Sequence, residues 1–110
     1  MSELNERFDG IMRILARDIH KRLKREVMFH PTRKWRWDFA DKEKKISVEI
    51  DGGEFLSQKK IQDPHSKKNN YDKMNNGVLL GWRTLRFRGS QLKDDPIKCI
   101  DQLKELYELK

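Results

Sequence analysis

The chain has 110 residues, which is long enough for one domain with a modest core and too short for two. Lys and Arg outnumber Asp and Glu by 25 to 18, and the formal charge of +7 favours a polyanionic partner, most commonly nucleic acid. The single cysteine excludes an intramolecular disulfide and a thiolate metal cluster, and no apolar run approaches the ~20 residues of a membrane span. We therefore expect a single domain over residues 1–110, no membrane partner and a cytoplasmic location.

The first segment predicts one amphipathic helix over residues 3–26, because its apolar side chains recur every three or four positions. This face consists of Leu4, Phe8, Ile11, Met12, Leu15, Ile19 and Leu23. A short strand over residues 27–30 follows and ends at the turn beginning with Pro31. The helix is expected to cover a sheet.

Two runs, residues 35–40 and 45–51, alternate with the period of a strand. The alternation places Trp35, Trp37 and Phe39 on one face of the first run. In the second run it places Ile46, Val48 and Ile50 on one face, and Ser47, Glu49 and Asp51 on the other. A hairpin loop over residues 41–44 would pair Phe39 with Ile46 and Trp37 with Val48. That register sets Asp38 diagonal to Glu49, about 7 Å apart between backbones.

The second half of the chain predicts a loop, a helix, a strand and a last helix. Gly52 and Gly53 end the hairpin, and residues 54–69 are lysine-rich without a sustained period. A helix over residues 70–80 carries Tyr71, Met74 and Val78 on its apolar face, and residues 82–88 form the next strand. The final helix runs from Pro96 to Leu109. Its inward residues are Ile97, Ile100, Leu103 and Tyr107, and Cys99 is expected to be a buried hydrophobe.

This order of elements predicts an α/β (α+β) fold. A strand, a helix and a strand in sequence usually form a right-handed crossover with parallel strands. We expect an αβββαβ core with a four-stranded mixed sheet, flanked by helices and extended by the C-terminal helix.

Carboxylates on adjacent strands suggest a metal site. Asp38 and Glu49 can hold Mg²⁺, which prefers oxygen ligands and commonly takes one or two carboxylates plus water, and the carbonyl of Ile50 is a natural further ligand. Mg²⁺ beside a phosphodiester activates water and neutralises charge on phosphorus, which is the chemistry of a nuclease.

The segment RKWRWDFADKEKKISVEIDGG, followed by YDKMNNGVLLGWRTLRF, resembles the PD-(D/E)xK nuclease superfamily. It is similar to the branch of small very-short-patch-repair-like endonucleases of phages and bacteria. The resemblance covers residues 27–88 and, more weakly, the first helix. It implies a Mg²⁺-dependent DNA endonuclease, with Mn²⁺ as a possible substitute, in the cytoplasm of a bacterium or of a phage host. Such an enzyme is expected to nick DNA or to act at a particular site or DNA structure.

The same resemblance assigns roles to individual residues. Asp38, Glu49 and the Ile50 carbonyl become metal ligands, and the first helix often adds an acid, here Glu3 or Glu6. The superfamily pattern has Lys where this chain has Asp51. Either Asp51 is a further ligand, or a lysine from elsewhere supplies the charge, with Lys73 and Lys60 as candidates.

The resemblance also implies a histidine from the loop and an acid from the next helix, at places comparable to His65 and Asp72. DNA contacts are expected from the lysine-rich segment and the last strand. The residues are Lys59, Lys60, Lys67, Lys68 and Arg86.

Three alternatives remain open. Asp38 and Glu49 could be the solvated face of an exposed hairpin, which is the default for polar residues that alternate along an antiparallel pair. A binding module without catalysis would explain the basic charge, although acids gathered on one face repel phosphate in the absence of a metal. A junction resolvase would cut branched DNA and would require a homodimer.

Overall fold

A computed structural model of the chain describes residues 3–52 and 64–108, with residues 64–70 at the level of the backbone only. The helices are α1 (Glu3–Leu15), α2 (Arg17–Arg22), α3 (Pro64–Leu79), α4 (Gly89–Asp94) and α5 (Pro96–Glu108). The strands are β1 (Lys24–Met28), β2 (Arg36–Asp41), β3 (Ile46–Asp51) and β4 (Arg83–Arg88). No helix within the described ranges is long and apolar enough to cross a membrane.

The four strands form one mixed sheet in the order β1-β2-β3-β4. β1 and β2 pair antiparallel, β2 and β3 pair antiparallel, and β3 and β4 pair parallel. The parallel pair follows from α3, which returns the chain to the edge from which β3 started. The predicted four-stranded mixed α+β sheet flanked by helices is confirmed, and α4 is an additional short helix between β4 and α5.

The larger core lies where α1, α4 and α5 cover one face of the sheet. Phe8 of α1 packs edge-on against Phe39 of β2, with ring centroids 5.1 Å apart, and Phe87 of β4 lies 6.0 Å from Phe8. Further buried members are Met12, Ile46, Val48, Leu92, Cys99, Ile100 and Leu103. The predicted inward face of the second hairpin strand and the buried Cys99 are therefore confirmed. Ile97 is 62% exposed, so its prediction as an inward residue is wrong.

The predicted helix over residues 3–26 is wrong beyond Leu15. Ala16 leaves helical geometry (φ −151°, ψ 62°), and α2 then ends at Arg22. Asp9 of α1 pairs with His20 of α2, Oδ1 to Nε2, at 3.1 Å, which holds the two helices together across the break. Because the chain turns early, β1 begins at Lys24, whereas the sequence predicts a strand from Val27.

The hairpin register differs from the predicted one by two residues. Phe39 pairs with Val48, where the sequence predicts Ile46, and Asp41 pairs with Ile46. The loop therefore spans residues 42–45, and Lys45 adopts a left-handed conformation (φ 54°). The reason is Asp41, which is drawn into the strand because the Lys44 amide, the Arg22 guanidinium and the Tyr107 hydroxyl all donate to its carboxylate.

β2 does not keep a strict alternation of side chains. Phe39 belongs to the larger core, whereas Trp37 joins a second cluster with Ala40 and Trp82. The predicted shared face of Trp37 and Phe39 is therefore wrong. On the neighbouring strand, Glu26 lies opposite this break and adopts φ 50°, so the backbone of β1 also departs from regular strand geometry there.

α3 covers the second cluster. It begins at Pro64, inside the stretch predicted as a loop. Met74 packs against the cluster as predicted, but Tyr71 and Val78 are 66% and 70% exposed. The inward face of this helix instead includes Gly77, which lies directly against Trp37.

Candidate active site

The site forms where the backbone pairing of β2 and β3 stops. The last paired residues are Phe39 and Val48. Immediately beyond them the Asp38 amide donates to Glu49 Oε2 at 2.9 Å, and the Ile50 amide donates to Asp38 Oδ2 at 2.7 Å. Side-chain carboxylates thus replace carbonyls as acceptors, and this exchange locks the two acids together. The register observed sets Asp38 opposite Glu49, whereas the sequence predicts a diagonal relationship.

Glu49 is a buried carboxylate, 8% exposed. Its Oε1 accepts from the ammonium of Lys73, which reaches down from α3. Burial, and after it the nearby Asp38 carboxylate, raise the pKa of Glu49 to about 7, although Lys73 opposes both effects. The pair therefore holds more negative charge than one lysine neutralises once Glu49 is ionised.

Lys73 is positioned by an aromatic surface. Its Nζ lies 5.2 Å from the ring centroid of Trp37, within the range of a cation–π interaction. Phe29 stacks on Trp37, with ring centroids 4.1 Å apart, and meets Trp82 edge-on. Gly77, one helical turn after Lys73, allows α3 to approach the indole closely.

The donor set fits a hard divalent cation. Asp38 and Glu49 each accept a hydrogen bond from one backbone amide. Their carboxylate oxygens retain further lone pairs that can bind a metal. No group of three or more His, Cys, Asp or Glu among the described residues is arranged to hold a metal ion. Mg²⁺ requires fewer protein ligands than that, since it keeps several of its waters. The Ile50 backbone adjoins the pair through its amide.

The other predicted acids lie around this pair with different partners. Asp51, two residues beyond Glu49, lies 3.6 Å from Arg86, Oδ2 to Nη2, and both side chains are about half exposed. Glu6 of α1 binds Arg25 of β1, Oε1 to Nη1, at 2.6 Å, while Glu3 is exposed in the first turn of α1. The structure therefore joins Lys73, and not Glu6, to the Asp38 and Glu49 pair.

The remaining predicted residues fall on or before α3. Asp72 is half-buried next to Lys73, and its carbonyl accepts from Asn76 Nδ2 at 2.8 Å. The backbone positions of His65, Lys67 and Lys68 lie in the first turns of α3, and their side chains are outside the described part of the chain. Lys59 and Lys60 also lie outside it.

Two residues that hold the site together are not among the site residues predicted from the sequence. Trp37 reads as a core residue, and its contact with Lys73 depends on the break in the alternation of β2. Gly77 reads as a weak point of the helix, although its spacing of four from Lys73 places both on one face. That spacing is the signal that identifies Gly77.

The arrangement brings together two carboxylates, one of them buried, and a lysine held by an aromatic ring. Such a set can bind a divalent cation and stabilise negative charge that develops on a phosphate. In comparisons with known protein families, curated proteins and solved structures, nothing matches this chain.

Proposed function

We propose that this chain is a Mg²⁺-dependent DNA endonuclease that hydrolyses phosphodiester bonds. The observation that carries the proposal is Glu49, a buried carboxylate enclosed by Asp38 and Lys73. Perturbed titratable groups of this kind concentrate at functional sites. The net charge of +7 supports DNA as the substrate.

Asp38 and Glu49 would hold the metal, with the Ile50 carbonyl as a further oxygen. Mg²⁺ bound there supplies Lewis-acid activation of water and neutralisation of charge at phosphorus. Asp38 and Glu49 also fix each other through the two amide bonds, so that their oxygens are oriented before any ligand arrives. This preorganisation lowers the cost of binding a cation.

Lys73 supplies the positive charge that the superfamily pattern places two residues after Glu49. Its ammonium contacts Glu49 in the free protein and keeps part of the population of Glu49 ionised near neutral pH. When a phosphate is bound, the same charge stabilises the negative charge that develops in the transition state. Asp51, paired with Arg86, assists at the rim of the site.

The alternatives account for less of this geometry. A solvated hairpin face does not explain a glutamate that is 8% exposed with a raised pKa. A binding module without catalysis leaves two acids facing a phosphate with no benefit to affinity. A resolvase remains the second candidate within the same chemistry, because the observed site is compatible with any DNA structure that reaches it.

The decisive experiment is cleavage of supercoiled plasmid by the wild type and by Asp38→Asn in Mg²⁺, Mn²⁺ or EDTA. Asn keeps an oxygen for the Ile50 amide, so the variant should fold. The matched control is Asp101→Asn, an exposed position on α5. We expect nicking or linearisation by the wild type and the control in both metals, none in EDTA, and a loss of at least about 100-fold in Asp38→Asn.

Two results would contradict the proposal. Cutting by Asp38→Asn at the wild-type rate would remove Asp38 from the mechanism. If plasmid, mismatched duplex and four-way junction all stayed intact with the wild type, while DNA affinity was indifferent to Mg²⁺, the chain would be a binding module.

A further inference from the structure

A basic groove of about 740 Å³ crosses the face of the β1 and β2 pair. Four cationic residues line it, namely Arg22, Lys24, Arg36 and Lys42, and Glu26 is the acid among its lining residues. The apolar residues of its lining, which we call the floor, are Val27, Met28 and Ala40. Met28 is 50% exposed, so an apolar side chain is presented to whatever occupies the groove.

Most of the positive charge along the groove is not neutralised by carboxylates of the protein itself. Arg22 binds Asp41 at 2.8 Å and Glu43 at 3.4 Å. Lys24, Arg36 and Lys42 are all exposed, and none of them takes part in an ion pair within the described ranges. Three cations without a carboxylate partner favour a polyanion in the groove.

The groove runs beside the candidate active site. Arg25 pairs with Phe39 and Val27 with Trp37, so Glu26 of the groove lies opposite Asp38. Two further lining residues, Arg36 and Ala40, lie on β2 within two positions of Asp38, so the groove adjoins the acid pair. A second cavity of about 440 Å³ shares Met28 and Lys42 with the first, and it adds Lys45 to the basic lining.

We propose that this basic groove binds an unpaired strand of DNA, so that the preferred substrate is a duplex carrying a single-stranded arm. The assignment rests on the proposed nuclease function. A duplex turns its phosphates outward and hides its bases, so it would gain little from the apolar floor. An unpaired strand can place phosphates on Lys24, Arg36 and Lys42 and lay bases and sugars on that floor.

The test measures DNA affinity in EDTA, where cleavage does not interfere. The probes are a fluorescent single strand of about 12 nucleotides and the blunt duplex of the same sequence. The groove variant is Lys24→Ser with Lys42→Ser, and the matched control is Lys98→Ser with Lys104→Ser, two exposed lysines of α5 that remove the same charge. Met28→Ser tests the floor alone.

We expect the wild type to bind the single strand more tightly than the duplex. The groove variant should bind the single strand about tenfold more weakly, and its salt dependence should fall by about 1.4, which corresponds to two phosphate contacts. The control should change neither quantity. Met28→Ser should weaken single-strand binding with the salt dependence unchanged.

Equal losses in the groove variant and the control would overturn the groove as the binding surface. Equal affinity of wild type for the duplex and the single strand would overturn the preference for an unpaired strand. Displacement of DNA by polyglutamate as effectively as by unlabelled single strand would assign the groove to an acidic protein. If the wild type cleaved plasmid but the groove variant bound DNA as tightly as the wild type, only the assignment of the groove would be overturned. If DNA binding depended on the groove but no substrate were cleaved, the nuclease proposal would be overturned instead.

Discussion

Gly77 of α3 lies so close to the indole of Trp37 that a Cβ at Gly77 would stand 2.6 Å from Trp37 Cζ2. Trp37 is fully buried, so the ring has no room to retreat. Gly77→Ala should therefore push α3 off the sheet and lower stability by about 1 to 3 kcal/mol, despite the higher helix propensity of alanine. Urea unfolding followed by tryptophan fluorescence measures the change.

Gly10→Ala is the matched control for that substitution. Gly10 lies in α1, and a Cβ there would meet nothing within 4 Å. Alanine should stabilise the helix by about 0.5 to 1 kcal/mol, because it loses less backbone entropy on folding. A destabilisation at Gly10 equal to that at Gly77 would show that the close approach to Trp37 is not the cause.

Mg²⁺ affinity should depend on the protonation of Glu49. Its pKa of about 7 lies above the usual 4.5, so the folded protein retains the proton as the pH rises from 4.5 to 7. A metal must displace that proton. Mg²⁺ affinity should therefore increase about tenfold for each unit by which the pH rises toward 7, and it should level off above pH 7. Isothermal titration calorimetry with MgCl₂ in buffers of different ionisation enthalpy measures both affinity and proton release. A flat profile between pH 5 and about 8 would show that Glu49 is not a ligand.

Lys73 should act through charge. Lys73→Met removes the ammonium that lowers the pKa of Glu49, so the midpoint of the pH profile for Mg²⁺ binding should move upward. Cleavage should fall by about 100-fold, since the transition state loses a cation. Lys73→Arg should restore the midpoint in part. An unchanged midpoint in Lys73→Met, together with an unchanged rate, would remove Lys73 from the site.

Asp41 should be the main electrostatic contribution to folding. It is 4% exposed; burial alone would raise its pKa, but the bonds from the Lys44 amide, Tyr107 and Arg22 together lower it. Asp41→Ala should cost about 3 kcal/mol at neutral pH, because it leaves Tyr107 without its acceptor and leaves Arg22 with the exposed Glu43 in place of a buried partner. A carboxylate with a depressed pKa stabilises the fold above its unfolded pKa of 3.8 and loses that effect as the pH falls through the folded pKa.

The difference in unfolding free energy between wild type and Asp41→Ala should therefore shrink below pH 4, as measured by urea titrations at several pH values. Glu43→Ala is the control, since Glu43 also faces Arg22 but its side chain is 80% exposed. It should change stability by less than about 0.5 kcal/mol. A loss at Glu43 as large as that at Asp41 would contradict the argument.

The fold could be predicted from the sequence because its dominant signals are local. Ile46 and Val48 alternate within a few residues, and the helix pattern of α1 repeats over several turns. The register could not be predicted, because it is fixed by Asp41, whose partners Arg22 and Tyr107 lie 19 and 66 residues away. The pattern of residues around Asp41 does not reveal contacts with residues so distant in the sequence.

The site shows the same division. The proximity of Asp38 and Glu49 could be predicted despite the wrong register, because a shift of two residues preserves the face of a strand. Lys73 is one of the two lysines that the resemblance to the nuclease superfamily makes candidates. Its support by Trp37 could not be foreseen, because strict alternation would have placed Trp37 beside Phe39.

Glu26 affects whether β1 can pair with the same strand of another copy of this chain. β1 is an outer strand of the described sheet, and such strands expose amides and carbonyls on which another chain can grow. The left-handed turn of the backbone at Glu26 interrupts that row, and the exposed carboxylate adds repulsion between identical edges. Both features disfavour strand-to-strand pairing of copies of this chain through β1.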